Sequence, residues 1–353
     1  MDEWEQAGQF PRELFQRFGA LDLLGLKYDE KYGGLGVGEI YEAVLFEELG
    51  RCGSGGVAAG IGAHIAIATP PIYNFGSDEQ RQRWLAPAIK GETIVALGVT
   101  EPSGGSDIAH VETTVRRDGD AYVVNGSKMF ITNGVQADIV VVLGRSKPEA
   151  GHRGLTLLVV ERGTPGYSVG RKLDKLGWRA SDTAELVFQD CRVPVSNRLG
   201  EEHNGFYLAV GNFQWERLWI ALGAVASAQR SLEMAIDYAA NRVQFGKRLV
   251  EMQVIRHQIA EMALIVEQAR QLTYHALWLH SQGVRATREV SMAKIAATEA
   301  DVTVADRALQ IHGGYGYMNE YPISRAWRDA RLGPIGAGTN EIMREIIAHE
   351  LDL

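Results

Sequence analysis

The uneven spread of prolines is the strongest constraint on how this 353-residue chain can fold. Eight of the ten prolines lie between Pro11 and Pro194, and residues 195–321 contain none. Because proline interrupts helices, this long gap favours long helices. Apolar residues recur within it at spacings of four and three, which align them on one helical face. Three such runs begin at Leu218, Ile255 and Val290. With a short run after Thr339, they predict an up-and-down four-helix bundle.

The middle of the chain has the pattern of strands instead. Val111, Thr113 and Val115 alternate before the turn DGD, and AYVVNGSKMFI (121–131) has Asn-Gly between β-branched and aromatic residues. Asn-Gly in that setting is typical of a hairpin with a two-residue turn. The runs ADIVVVLG, GLTLLVVE and AELVF add further strands. We predict a helical N-terminal domain over 1–95, a small β-barrel or sandwich over 96–200, and the helical bundle over 201–353.

Bulk properties exclude several classes of function. A net charge of −8 argues against nucleic acid as the main partner, since phosphate binding needs a basic face. The longest apolar runs are too short to span a bilayer. No H-E-x-x-H pattern or Cys/His cluster indicates a metal site. Two cysteines, Cys52 and Cys191, form no disulfide framework and suit a reducing compartment, so we expect a cytoplasmic protein.

Glycine-rich segments allow more than one interpretation. Gly53, Gly55 and Ala58 fit the spacing of a dinucleotide-binding loop, but an amphipathic helix precedes them, so small-residue helix packing is favoured. TEPSGGSD (100–107) could hold a phosphate or the edge of a heterocycle through backbone N–H groups, or form a polar turn. GPIGAGTNEI (333–342) ends on a helix start that Thr339 can cap, which is a plausible ligand seat.

Glu216 is the candidate general base in the bundle. It opens the first long helix beside Arg217, and its face continues through Ile220 and Gly223. The opposite face is also apolar, so the helix is predicted to be buried on both sides. A carboxylate there is either ion-paired or has a raised pKa suited to proton abstraction, and the spacing does not choose between them.

Taken together, the segments resemble the acyl-CoA dehydrogenase family from about residue 10 to the C-terminus. TEPSGGSD matches the family's TEPxxGSD motif. Further family-like segments follow at family-like spacings: NGSKMFITNG, LDKLGWRASDTAELVFQDCRVP, NRVQFGK, QIHGGYGYMNEYPISRAWRDAR and GTNEI. The resemblance implies an FAD-dependent enzyme that removes the α-proton of an acyl-CoA thioester and passes the β-hydride to flavin N5, which gives a trans-2-enoyl-CoA.

The resemblance also indicates the catalytic base. Many members carry Glu in the loop, as YEGT, where this chain has Ala337. In isovaleryl-CoA and long-chain acyl-CoA dehydrogenases the base is the Glu of a Glu-Arg pair on the first bundle helix, and Glu216-Arg217 matches that pair. The resemblance therefore implies that Glu216 is the catalytic residue. The backbone N–H of the Ala337-Gly338 loop would hold the thioester oxygen.

Other site residues are implied by the same resemblance. Flavin contacts within one subunit would be Val99, Thr100, Ser106, Phe130, Thr132, Thr339 and Glu341. Contacts to the flavin of a neighbouring subunit would be Arg242, Phe245, Gln253, Gln310 and Gly314. Acyl-CoA contacts would be Ser106, Ser181, Tyr207, Arg217, Ala337 and Gly338. A site shared in this way implies a homo-oligomer, a tetramer in the family.

The sequence leaves several questions open. The resemblance implies electron-transfer flavoprotein as the electron acceptor, but an oxygen-using relative, such as an acyl-CoA oxidase or a monooxygenase, is a second hypothesis. A non-catalytic scaffold that binds flavin or acyl-CoA is a third. The residues do not fix the acyl chain. Family members begin with an additional helix, whereas this chain starts inside that region at WEQAGQFPREL.

Overall fold

The first part of the chain is helical in the computed structural model, which describes residues 1–353. Its α-helices are α1 (Asp2–Ala7), α2 (Glu13–Ala20), α3 (Glu39–Arg51), α4 (Gly55–Gly62), α5 (Pro70–Phe75), α6 (Asp78–Gln80) and α7 (Ala86–Ile89). Two π-helical stretches join them, Ala63–Ala68 and Arg81–Leu85. Gly55 thus lies in a helix of small residues and not in a nucleotide-binding turn, as helix packing predicts.

Eight strands of the middle region form one sheet. They are β1 (Val95–Gly98), β2 (Thr114–Asp118), β3 (Ala121–Thr132), β4 (Ile139–Arg145), β5 (Leu155–Glu161), β6 (Tyr167–Lys172), β7 (Thr183–Pro194) and β8 (Arg198–Leu199). The strand order is β6-β7-β3-β2-β4-β5-β8, and β1 pairs with β4 in parallel. β2 and β3 are antiparallel around a turn at Gly119, whose φ is 65°, so the DGD turn is confirmed.

The predicted hairpin at Asn125-Gly126 is wrong. β3 runs straight through both residues, and a bulge against β7 falls between Val124 and Gly126. Gly126 has a φ of 146°, and a Cβ there would come within 2.5 Å of Thr113 Oγ1. The glycine serves a strand irregularity and the close approach of a neighbouring backbone, which are the alternative uses of glycine in a strand.

β4 and β5 are buried on both faces, which explains their uninterrupted apolar sequences. Odd-numbered residues of β4 and β5, among them Val141 and Leu157, pack with Tyr28 and Trp84 of the helical region. Even-numbered residues, among them Val142, share a second core with β2, β3 and β7. The sheet therefore has the inward-facing core of the predicted barrel or sandwich on one side and a helical layer on the other.

The last part of the chain is helical, as predicted from the proline gap. Its helices are α8 (Gly205–Val210), α9 (Phe213–Asn241), α10 (Gln253–Ser281), α11 (Thr287–His312), α12 (Pro322–Ala330) and α13 (Asn340–Glu350). A short hairpin of β9 (Val243–Gln244) and β10 (Lys247–Arg248) joins α9 to α10. The 3₁₀ turns of the whole chain are Glu30–Tyr32, Ile108–His110, Pro148–Gly154, Val195–Asn197, Leu249–Glu251 and Gly313–Tyr317.

Backbone contacts divide the chain into two compact units, and neither is continuous in sequence. The first comprises Met1–Glu42, Ala59–Lys175 and Arg179–Trp215. The second comprises Ala43–Ala58, Leu176–Trp178 and Glu216–Leu353. Asp329 joins the three segments of the second unit, because its carboxylate accepts the N–H of Gly55 at 2.8 Å and that of Trp178 at 2.6 Å. We call this carboxylate with its two donors the Asp329 tie.

A second carboxylate of the bundle is buried without a cation beside it. Asp301 on α11 is 6% exposed, and its Oδ1 has no hydrogen-bond partner. The pKa of Asp301 is raised to about 8, mainly by burial; a hydrogen bond with Ser227 opposes the shift, and the carboxylate of Asp329 adds to it. The folded protein therefore carries this side chain as a neutral acid at neutral pH.

One helical run, Gly55–Phe75, has the length and the mean hydropathy of a membrane span. However, 83% of its most apolar window is buried inside the protein. Core helices of globular domains share this property, so the run is weak evidence for a membrane span.

Candidate active site

A buried ion pair supports the loop that follows β1. Lys128 Nζ lies 2.6 Å from a carboxylate oxygen of Glu101, and the two side chains are 0% and 4% exposed. Lys128 also donates to the carbonyl of Val99, while Glu101 accepts the N–H of Thr113 at 2.9 Å. Burial lowers the pKa of Lys128 to about 8, and Glu101 opposes the shift. The pair fixes the backbone on both sides of Thr100, a predicted flavin contact.

Phe130, another predicted ring contact, lies beside this loop, and Thr132 ends β3, where it pairs with Thr183 of β7. Met129 donates its N–H to the carbonyl of Thr100 at 2.8 Å. A bulge between Lys128 and Ile131 turns the next residue outwards, so that Phe130 has a φ of 61° and is 66% exposed. A left-handed aromatic residue at the surface is strained, and such residues concentrate at ligand sites. The arrangement offers an aromatic face next to a rigid backbone edge, which suits a flat heterocycle.

Three further predicted contacts lie in the same unit. Ser106 is exposed in the TEPSGGSD loop. Ser181 is 2% exposed, and its hydroxyl accepts a hydrogen bond from Lys175 at 2.8 Å. Tyr207 is 48% exposed and its hydroxyl lies 3.2 Å from His152 Nε2. Ser106 and Tyr207 therefore lie at the surface, whereas Ser181 is buried and hydrogen-bonded to Lys175.

In the second unit, the start of α9 lies beside the glycine-rich loop 333–339. Glu216 is 6% and Arg217 8% exposed. A Cβ at Gly336 would lie 3.6 Å from Ile220 Cδ1, and one at Gly338 would lie 3.8 Å from Arg217 Nη2. Ile220 stands four residues beyond Glu216 and so shares its helical face. The helical face that carries Glu216 therefore lies next to the loop at Gly336.

The loop has an unusual backbone. Ala337 and Gly338 have φ angles of 50° and 88°, both in the left-handed region. Their N–H groups donate to no other group of the chain. The loop ends on α13, where Thr339 accepts the N–H of Ile342 at 3.3 Å, so the predicted cap is confirmed. Glu341 is exposed in the first turn, where the helix dipole stabilises a carboxylate. The loop thus offers two N–H donors to a ligand.

A lysine that the sequence reasoning missed anchors this loop from behind. Lys294 on α11 is fully buried, and its Nζ donates to the carbonyl of Gly338 at 2.8 Å and to Asn340 Oδ1 at 2.9 Å. Lys294, Thr298 and Asp301 follow one another at spacings of four and three. A polar stripe on an otherwise alanine-rich helix was therefore the available signal.

The remaining predicted contacts gather at the opposite end of the bundle. The guanidinium of Arg242, just after α9, lies 5.5 Å from the ring centroid of Tyr315, just after α11. Phe245 forms the tip of the β9–β10 hairpin, where it is 95% exposed with a φ of 52°. Gln253, Gln310 and Gly314 are all exposed at this end. We call these five residues (Arg242, Phe245, Gln253, Gln310 and Gly314) the distal cluster.

Family models match nearly the whole chain. The N-terminal, middle and C-terminal domains of acyl-CoA dehydrogenase match residues 1–92, 96–191 and 203–351. Together with the fold and the site, these matches show that the chain belongs to the acyl-CoA dehydrogenase family, whose members are FAD-dependent oxidoreductases of acyl-CoA metabolism.

Relatives and solved structures agree with this assignment. An acyl-CoA dehydrogenase of Bacillus subtilis is 41% identical over 98% of this chain and 91% of its own length. The long-chain specific acyl-CoA dehydrogenase of Sus scrofa is 42% identical, over 99% and 81%. The crystal structure of acyl-CoA dehydrogenase from Geobacillus kaustophilus is 46% identical with a TM-score of 0.97, covering 100% of this chain and 93% of that one.

Two other similar proteins bear on specificity. The human short-chain specific acyl-CoA dehydrogenase is 40% identical over 97% of this chain and 83% of its own length. That value is close to the identity with the long-chain enzyme, so overall similarity does not choose an acyl length. A prolyl acyl carrier protein oxidase is 34% identical with a TM-score of 0.94, covering 99% of this chain and 92% of that one. The same fold thus also occurs in an oxidase.

Proposed function

We propose that the chain oxidises a fatty acyl-CoA at its α and β carbons, with Glu216 as the base that removes the α-proton. The observation that carries this proposal is the approach of Ile220, on the helical face of Glu216, to Gly336, where an added Cβ would lie 3.6 Å from Ile220 Cδ1. A general base must come within hydrogen-bond reach of the proton that it takes. A thioester seated on the loop would present its α-carbon towards that face.

The loop would stabilise the charge that develops during deprotonation. Removal of the α-proton moves negative charge onto the thioester oxygen, which then needs hydrogen-bond donors already in place. The N–H groups of Ala337 and Gly338 are two such donors, since they have no partner in the chain. Arg217 adds a buried cation near Gly338, and burial lowers the pKa of its guanidinium while Glu216 opposes the shift. The two N–H donors and the buried cation both favour an enolate-like transition state.

The residues of the first unit fit FAD. Phe130 offers an exposed aromatic face and Thr100 a backbone edge held by Met129 and the Lys128–Glu101 pair. Val99, Thr100, Ser106, Phe130 and Thr132 of the first unit would hold the cofactor, and Thr339 and Glu341 of the second unit stay flavin contacts predicted from the sequence alone. When bound, FAD supplies the oxidising power by accepting the β-hydride. The protein's own part is to orient the cofactor, to exclude water and to hold the base.

An anaerobic titration tests the proposed function directly. Purified protein with FAD is mixed with straight-chain acyl-CoAs from four to sixteen carbons and with isovaleryl-CoA, and the flavin absorbance is followed. We expect bleaching with at least one member of this panel, and we propose a medium-to-long or branched chain as substrate because the base position matches the isovaleryl-CoA and long-chain enzymes. No bleaching with any acyl-CoA would favour a non-catalytic scaffold.

A second candidate function is an oxidase activity, favoured by the similarity to the prolyl acyl carrier protein oxidase. The two alternatives differ in how the reduced enzyme is reoxidised. A dehydrogenase reacts slowly with oxygen and passes electrons to a partner, which we propose to be electron-transfer flavoprotein. Stopped-flow mixing of the reduced enzyme with air-saturated buffer separates the two alternatives. The flavin absorbance of an oxidase returns rapidly after mixing, whereas that of a dehydrogenase returns slowly.

We further propose a homotetramer in which the distal cluster completes the FAD site of a neighbouring subunit. Glu216 and Arg242 stand at opposite ends of α9, roughly 39 Å apart for a helical rise of about 1.5 Å per residue. Glu216 and Arg242 of one chain therefore cannot both contact the same flavin. The exposed apolar residues Leu264, Leu272 and Trp278 of α10 supply a surface for subunit contacts.

Phe245→Ala tests this shared site. The side chain is 95% exposed within its own chain, so its removal leaves the fold of a single subunit unaffected. If the Phe245 side chain packs on a neighbour's flavin, its removal costs about 1.5–3 kcal/mol of binding free energy, because that apolar surface is no longer buried. The variant then binds FAD about 10- to 100-fold more weakly. FAD affinity is measured by titration of the apoprotein, with light scattering for the oligomeric state. Leu21→Ala, at a 68% exposed apolar residue, is the control, and an unchanged FAD affinity in Phe245→Ala contradicts the shared site.

Both cysteines are free thiols, with Cys52 exposed and Cys191 buried. A reducing compartment preserves such thiols. We therefore propose a cytoplasmic location for the enzyme.

A further inference from the structure

Lys294 reaches the loop 333–339 from the side of the bundle core. The lysine has no exposed surface, and its ammonium group donates to the carbonyl of Gly338 and to the amide oxygen of Asn340. Asn340 is itself 3% exposed and contacts Thr298 through both of its side-chain atoms. A fully buried lysine is rare because desolvation of its charge is costly. Its hydrogen bond to one loop carbonyl is a contact that an apolar residue could not make.

The backbone that Lys294 holds is strained. Ala337 has a φ of 50°, which an L-residue with a Cβ adopts at a cost of about 1–2 kcal/mol. Gly338 follows at 88°, and a side chain there would begin 2.9 Å from Met343 Cε. Such conformations persist only where the surroundings over-determine them. The hydrogen bond from Lys294 fixes the peptide group between Gly338 and Thr339, and so limits how the preceding N–H groups can turn.

The charges around the lysine do not form a simple ion pair. Burial and, to a smaller extent, Arg217 lower the pKa of Lys294 to about 8, and Glu341 and Glu299 oppose the shift. Two buried cations, Lys294 and Arg217, thus lie near Gly338. A developing negative charge at the loop would find a positive potential there, in addition to the two backbone donors.

We propose that Lys294 is a positioning residue of the reaction, which holds the Gly338 carbonyl so that the N–H groups of Ala337 and Gly338 stay aimed at the thioester oxygen. This inference rests on the proposed function, because it assumes that an acyl thioester occupies the loop. Lys294 itself touches neither substrate nor cofactor. Its effect on the reaction passes through the orientation of the loop.

The test compares Lys294→Met with Thr298→Val. Methionine keeps most of the buried volume of lysine but cannot donate to Gly338, whereas Thr298→Val removes a buried contact to Asn340 from the same helical face and leaves the Lys294–Gly338 bond in place. The first readout is the carbonyl stretching frequency of a bound ¹³C-labelled acyl-CoA thioester, which falls as the oxygen accepts stronger hydrogen bonds. The second is the rate at which its α-hydrogens exchange with D₂O under anaerobic conditions.

We expect Lys294→Met to retain FAD and to bind acyl-CoA, while kcat and the α-hydrogen exchange rate both fall about 10- to 100-fold. The carbonyl frequency should move towards that of the free thioester. Thr298→Val should keep the wild-type frequency. Wild-type frequency and exchange in Lys294→Met would overturn the inference, and so would an equal frequency shift in Thr298→Val.

Lys294→Gln carries the test if Lys294→Met fails to hold FAD. A neutral amide can still donate, but its shorter chain should give a smaller frequency shift in the same direction, and a wild-type frequency would overturn the inference. The proposed function fails on different grounds, namely when the wild-type enzyme shows no bleaching by acyl-CoA. A wild-type enzyme that bleaches, together with an unperturbed Lys294→Met, would refute the role of Lys294 alone.

Discussion

Glu216→Gln is expected to lower kcat for acyl-CoA oxidation by about 10²- to 10⁴-fold, which is the usual contribution of a general base. Glutamine has nearly the shape of glutamate but cannot accept the α-proton. The site should therefore stay packed and lose only its proton acceptor. Since Glu216 is 6% exposed, water has little access with which to replace it.

The measurement separates binding from chemistry. FAD content and acyl-CoA binding should be close to wild type, whereas anaerobic bleaching and α-hydrogen exchange into D₂O should both be lost. Glu345→Gln is the matched control, because it removes one carboxylate from the exposed surface of α13. Normal turnover of Glu216→Gln would exclude Glu216 as the base. Loss of FAD from the variant would indicate a structural role instead.

Asp301→Asn should stabilise the protein at neutral and alkaline pH. Burial, with a smaller effect of Asp329, raises the pKa of Asp301 to about 8, whereas an unfolded aspartate titrates near 4. Between these values the folded state binds one proton more than the unfolded state. The free energy of unfolding therefore falls by about 1.4 kcal/mol per pH unit as pH rises, and it levels off above pH 8.

Asparagine keeps the shape and cannot ionise, so the variant should lack this slope. The difference between variant and wild type should be small near pH 4 and should reach several kcal/mol at pH 8. Urea unfolding at intervals from pH 4 to 9 measures it. Asp174→Asn, at a side chain that is 91% exposed, is the control and should follow the wild-type curve. A constant difference between Asp301→Asn and wild type at every pH would contradict this explanation.

The long helices could be predicted because their burial follows a local pattern. The runs from Leu218, Ile255 and Val290 fall within α9, α10 and α11, and Thr339 caps α13 as expected. The error at Asn125-Gly126 has a tertiary cause. Those residues favour a turn in isolation, but pairing with β2 on one side and β7 on the other keeps β3 extended and leaves only a bulge.

Predictions for the site residues divide in the same way. The family motifs predict roles for Glu216 and the loop at Ala337, which stay predictions, and they give no indication of Lys294 or the Lys128–Glu101 pair. Lysine is normally exposed, so its burial depends on acceptors that come from distant parts of the chain. The acceptor of Lys294 is the carbonyl of Gly338, 44 residues away, and no local pattern predicts such a contact.

The Asp329 tie has a consequence for synthesis of the protein in the cell. Its donor Gly55 precedes Asp329 by 274 residues, so at about 5–20 residues per second the ribosome needs roughly 14–55 s to deliver the acceptor after the donor. During that interval the segment Ala43–Ala58 has been synthesised, whereas the acceptor of the tie has not. The second unit therefore cannot close around its N-terminal segment until nearly the whole chain has been synthesised.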